Sequence, residues 1–179
     1  TPDGRYIVFV STRTGNSNIY RYDLNTGEQK QLTSGASEEF PAVSADGKWV
    51  IYAATGSIKH TLWKVSIDGG EPVLLIEKPT GFPRVSPDGN LIACAYYEHK
   101  TKLAIFSVYG GEPLKLFDVA RRATFTNGLR WTPDGKAVTY RDLSNGIWKQ
   151  SLDGGEPQRL EGLPKEKLFS YGWSRDGNL

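Results

Sequence analysis

Short apolar runs and glycine-rich corners alternate along the chain in a fixed order. After each Asp-Gly pair comes an apolar run: YIVFV at 6–10, WVIY at 49–52, LIACAYY at 91–97 and AVTY at 137–140. An alternating run follows, IYRYDL at 19–24, LWKVSI at 62–67, LAIFSV at 103–108 and IWKQSL at 147–152. A third run ends on Leu32, Leu75, Leu116 and Leu160, and a fourth (FPAVS, FPRVS, GLRWT, YGWS) leads into the next Asp-Gly. Short runs rich in β-branched and aromatic residues, bounded by turn residues, predict an all-β meander. No segment holds the 3.6-residue period of a helix.

Two turn motifs keep one common period. The first is TPDG at 1–4, SADG at 44–47, SPDG at 86–89, TPDG at 132–135 and SRDG at 174–177; its aspartates (Asp3, Asp46, Asp88, Asp134, Asp176) are 43, 42, 46 and 42 residues apart. The second is NTGE at 25–28, DGGEP at 68–72, YGGEP at 109–113 and DGGEP at 153–157; its glutamates (Glu28, Glu71, Glu112, Glu156) are 43, 41 and 44 apart. In the first motif proline presets the first corner of a type I turn, aspartate favours the second, and glycine takes the positive φ that returns the chain. Ala45 and Arg175 replace the proline in two copies, which type I turns tolerate. The Gly-Gly pairs give a second hairpin the same freedom.

Four strands in a period of forty-odd residues is the pattern of a propeller blade. The wording of the repeat, P-x-[VW]-S-P-D-G followed by D-G-G-E-P, resembles the TolB-like β-propeller repeat family, whose repeats are WD40-like Pro-Asp-Gly units. The resemblance covers essentially the whole chain. Tyr109 stands for the usual aspartate before Gly-Gly, Asn25-Thr26 for Asp-Gly, and Ala104 where other copies carry Tyr20, Trp63 and Trp148. None of these touches the turn glycines. The expected fold is an all-β β-propeller of about four four-stranded antiparallel blades, with repeats at 1–43, 44–85, 86–131 and 132–173 and a further repeat starting at 174–179. Ring closure would pair residues 168–174 beside the first blade, but SRDGNL at 174–179 would then duplicate the role of TPDGRY at 1–6. The expectation is therefore an open arc of a larger ring of six to eight blades. Tyr20, Trp63 and Trp148 in one row, and Val43, Val85, Trp131 and Trp173 in another, are expected to pack between blades, with an aromatic ligand platform as the alternative.

Composition narrows the function classes. Hydrophobic residues are 38% and charged residues 23%, which excludes a disordered chain, and no apolar run approaches the ~20 residues of a spanning helix. Lys and Arg total 22 against 20 Asp and Glu, so there is no electrostatic case for nucleic acid or an anionic membrane surface, and neither a nucleic-acid partner nor direct membrane insertion is expected. Cys94 is the single cysteine, lies in an apolar run, and reads as a buried thiol. No methionine occurs, not even at position 1, so the chain is expected to be a processed form or a piece of a longer polypeptide with further blades or domains.

A four-stranded meander places both stereotyped turns on one face and all the variable loops on the other. The within-blade loops are 11–18, 53–61, 97–102 and 141–146; the interblade links are 33–39, 77–81, 117–128 and 161–169. Variable loops on a rigid scaffold are where binding is usually built. Arg121, Arg122, Phe125 and Asn127 in the longest link are candidates, since adjacent arginines grip carboxylates in bidentate fashion; a solvated basic loop is the plainer alternative. Arg84 and Arg130 hold equivalent repeat positions, where the other blades carry Ala42 and Gly172, on strands expected to border the central channel. They are candidates for an anionic partner, with solvent exposure or carboxylate pairing as the alternative. His60 and His99 lie in loops of adjacent blades and read first as surface residues. No G-x-S-x-G, H-E-x-x-H or D-x-[DN]-x-[DN]-G motif occurs, so no catalytic residue, metal ligand or cofactor is assigned.

The resemblance implies a non-catalytic binding, scaffold or sensor module for a protein or peptide partner, with a small ligand as another possibility. It also implies a periplasmic or cell-envelope setting, the cytoplasm being the alternative. Similar repeats form the sensor regions of bacterial kinases and regulators. They also form the substrate-gating propeller of prolyl-oligopeptidase-like serine peptidases, whose catalytic domain is separate, and this is the alternative function. A propeller lyase or lactonase is disfavoured by the lack of clustered carboxylates and histidines.

Overall fold

The computed structural model describes residues 1–55, 60–144, 146–162 and 170–174. The first sheet holds β1 (Tyr6–Ser11), β2 (Asn18–Asp23) and β3 (Gln29–Gln31). The second holds β4 (Glu38–Val43), β5 (Trp49–Thr55), β6 (His60–Ser66) and β7 (Val73–Ile76), and the third β8 (Thr80–Val85), β9 (Leu91–Tyr96), β10 (Lys102–Ser107) and β11 (Gly110–Asp118). The fourth holds β12 (Ala123–Thr124), β13 (Arg130–Trp131), β14 (Ala137–Asp142), β15 (Ile147–Ser151) and β16 (Gln158–Arg159). Within each sheet the strands pair antiparallel in sequence order, except that β12 and β13 both pair with β14. The chain is a β-propeller arc of four sequential blades, and among the described residues it contains no helix.

The Ser/Thr-x-Asp-Gly corners do more than turn the chain. Each closes an N–H···O bond from the glycine to the first residue of the motif, Gly47 to Ser44 and Gly89 to Ser86 at 2.9 Å, with glycine φ of 73° and 78°. The Ser44 hydroxyl donates to Asp46 Oδ1 (2.5 Å) and accepts the Trp49 N–H (2.9 Å), while Asp46 accepts the Lys48 N–H (3.0 Å). The same lattice recurs at Ser86–Asp88 and Thr132–Asp134. These bonds hold the Asp46, Asp88 and Asp134 carboxyls below the usual carboxylate range, the hydroxyl bond first among the causes. Successive corners also touch: a Cβ on Gly89 would lie 2.8 Å from the Ala45 Cβ, so the stereotyped face is a packed row.

Three apolar clusters fill the spaces between blades. Tyr6, Ile19, Val50, Tyr52 and Val65 join blades one and two; Ile51, Leu62, Ile92, Cys94 and Phe106 join two and three; Ala93, Leu103, Phe125, Trp131 and Tyr140 join three and four. Cys94 is fully buried, and burial pushes its thiol upward. The Trp131 indole N–H donates to the Arg84 carbonyl oxygen across blades at 2.8 Å. In β4 and β8 the ladder slips at a bulge where Phe40 and Phe82 take φ of 55° and 56°, an expensive conformation for a bulky residue. Their rings meet at 4.2 Å between centroids, and this contact helps hold the paired strain.

The arc is open. Among the described residues β1 pairs only with β2, so the first blade lacks its inner strand. Tyr171 instead donates its hydroxyl to the Gly128 carbonyl oxygen (2.6 Å) and Trp173 its indole N–H to Thr139 Oγ1 (3.3 Å), both on the outer face of blade four. On the first blade's free face Arg13 caps the stacked Phe9 and Tyr20, 4.5 Å from the Tyr20 ring centre. The fifth Asp-Gly corner and most of the 161–169 link lie outside the described residues.

Candidate functional site

Two regions hold buried or half-buried charge that no ion pair among the described residues answers. The first is at the inner edge. Strands β4 and β8 open their blades, β13 continues the inner strand that β12 opens in blade four, and β8 lies beside both β4 and β13; β8 and β13 carry Arg84 and Arg130 at matching register, opposite Ala93 and Thr139. Both side chains are half-buried and in the same pose: each Nη1 donates to the carbonyl oxygen of the preceding residue, Pro83 or Leu129, at 2.8 Å. Among the described residues neither guanidinium pairs with a carboxylate. Burial, together with the nearby Arg130 charge, pushes the Arg84 guanidinium down to about 10.

The other residues singled out from sequence separate. Arg121 and Arg122 are exposed in the turn before β12, Arg122 with φ of 66° and its carbonyl oxygen accepting the Leu143 N–H (3.0 Å). Phe125 is only 3% exposed and packs on Tyr140, 5.8 Å between ring centres. It is a core residue, because β12 already belongs to blade four and residues 125–129 are a bulge in its inner strand, not a link. Asn127 is exposed at φ of 55° within that bulge. His60 is exposed at the start of β6, its Nδ1 3.0 Å from Thr55 Oγ1, and His99 is exposed between β9 and β10. Among the described residues no three His, Cys, Asp or Glu side chains converge.

The second region was not legible in the repeat pattern. Glu38, the first residue of β4, is 5% exposed. Its Oε2 accepts a bond from Asn18 Nδ2 (3.0 Å), and that amide also donates to the Gly35 carbonyl oxygen (3.0 Å). No cation pairs with Glu38 among the described residues. It forms part of the wall of a cleft of about 450 Å³ on blade two and the link that leads into it, with Gly35, Tyr52, Thr55, Thr61 and Trp63. Trp63 is half-buried and donates its indole N–H to Thr61 Oγ1 (2.9 Å); Tyr52 is pushed up by burial and by the Glu38 charge. A Cβ on Gly35 would come within 2.6 Å of Glu38 Oε1, so only glycine leaves the carboxylate where it is. The one sequence signal was a doubled glutamate, Glu38-Glu39, where a strand begins.

With this geometry established, similarity to known proteins can be read against it. Residues 1–103 match the family described as the dipeptidyl peptidase IV N-terminal region. The chain belongs to that family. Its repeats are those of TolB-like β-propellers. A TolB homolog of Chlorobium chlorochromatii is 30% identical over 148 residues, covering 76% of this chain and 31% of that protein. An uncharacterised protein of Agrobacterium fabrum is 25% identical over 152 residues, covering 78% of this chain and 52% of that protein. The chain thus spans about half or less of the length of these curated relatives. The structure of a putative TolB from Agrobacterium tumefaciens superposes with a TM-score of 0.81 at 23% identity, over 99% of this chain and 69% of that one, which shows the fold. In the family's terms, the matched stretch takes in blades one and two and most of blade three, and so contains the Glu38 cleft and Arg84 but not Arg130.

Proposed function

We propose that this propeller is a recognition module without chemistry of its own, in the manner of a TolB-like scaffold of the cell envelope. In this reading it receives a cationic group of a protein or peptide partner in the cleft that Glu38 lines on blade two. The observation that carries the reading is Glu38. Taking a carboxylate out of water costs several kcal/mol, and one hydrogen bond to a charged acceptor returns only about 1.5–3 kcal/mol. Asn18 alone therefore leaves a deficit that a guanidinium or ammonium would remove. The aromatic faces of Trp63 and Tyr52 suit the alkyl stem and the charge of such a side chain. The cleft runs from Gly35 and Thr55, beside the variable loops, to Glu71 and Pro72 of the Gly-Gly-Glu-Pro turn.

Titration with arginine amide and lysine amide, followed by tryptophan fluorescence, tests this. Saturable binding by the natural chain, weakened about tenfold or more in Glu38→Gln, is the expected result. Binding indifferent to Glu38 would remove the cleft from consideration.

The family match favours a second reading, a substrate-gating propeller that works beside a serine hydrolase. It expects the native polypeptide or complex to react with a fluorophosphonate probe. The recognition reading expects no labelling.

A further inference from the structure

We propose that Arg84 and Arg130 form an oxyanion clamp for a carboxylate or phosphate group at the inner edge of blades three and four. This inference is independent of the Glu38 reading, since it rests on different blades and the opposite charge. The repeat places the two residues at the same register of adjacent inner strands, where the second blade carries Ala42. Each guanidinium has five N–H donors, and among the described residues one is used in each case, through the carbonyl oxygen of the preceding residue. That shared bond sets both side chains in one orientation, so the remaining donors are preorganised. Burying two like charges near each other, with no carboxylate between them among the described residues, costs folding free energy that the interior does not return.

An oxyanion resolves each of these points. Its oxygens accept the free N–H groups in charge-assisted bonds, and its charge screens the two guanidiniums from each other. Carboxylate and phosphate share this chemistry, and their relative affinities identify which one the clamp prefers. The exposed Arg121 and Arg122 lack that burial and serve as the internal control.

Calorimetric titration of the chain with inorganic phosphate and, separately, with succinate tests the clamp, at ionic strength held constant with chloride. One site is expected for at least one of the two anions, with either order of affinity supporting the clamp. Arg84→Ala and Arg130→Ala should each raise Kd about tenfold or more, and the double variant Arg121→Ala/Arg122→Ala should leave it unchanged. No binding of either anion, or binding lost only in the Arg121/Arg122 variant, overturns the clamp. Should the single variants fail to fold, the Nε resonances of Arg84 and Arg130 in the natural chain decide. Both shifting on addition of the anion supports the clamp, and neither shifting overturns it.

Discussion

Glu38 in blade two and Thr80 in blade three occupy the same place on nearly the same backbone. Each opens an inner strand, each is buried, and each is followed two residues later by a phenylalanine at positive φ. Thr80 satisfies itself locally by donating to the Lys78 carbonyl oxygen at 2.9 Å. Among the described residues Glu38 has only Asn18 as a side-chain partner, from the neighbouring blade, and a cleft in front of it. The backbone of the repeat thus fixes where a side chain sits but not whether its charge is answered. The unanswered charges, Glu38 and the Arg84–Arg130 pair, mark where this chain departs from its own repeat.

The largest expected effect comes from moving the charge. Thr80→Glu buries a carboxylate without the Asn18 partner that Glu38 has, and should cost about 3–5 kcal/mol in urea unfolding. A loss below about 1 kcal/mol would mean that blade three accommodates the charge as blade two does. Next is acid stability, which probes the scaffold shared by both blades. The Asp46, Asp88 and Asp134 carboxyls lie below their unfolded values, so their contribution is present above the unfolded value and is lost as pH falls through the folded ones. The melting temperature should hold down to about pH 4 and fall below it, and replacing all three with asparagine should flatten that fall. A pH profile unchanged in the triple variant would show that these corners do not set acid stability.

Most of the fold was legible because its corners are chemically constrained. Glycine at positive φ and aspartate beside a Ser or Thr hydroxyl recur because the hairpin requires them, and the period follows. Arg84 and Arg130 were legible for the same reason: equivalent positions with different residues stand out once the repeats are aligned. The split inner strand of blade four was not, because the four extra residues in that repeat read as a longer link. The ladder shows instead that β12 pairs with β14 and that Phe125 turns into the core. Glu38 was invisible because its burial comes from Asn18 and Gly35, which precede its own strand.

Unfolding of the natural chain and of Glu38→Thr, each with and without arginine amide, decides whether the buried carboxylate serves a ligand or the fold. If the carboxylate is kept for a ligand, the variant alone should match the natural chain to within about 1 kcal/mol, and only the natural chain should gain stability from arginine amide. A variant that loses about 3 kcal/mol, with the natural chain gaining nothing from the amide, would make Glu38 a structural residue and contradict the account.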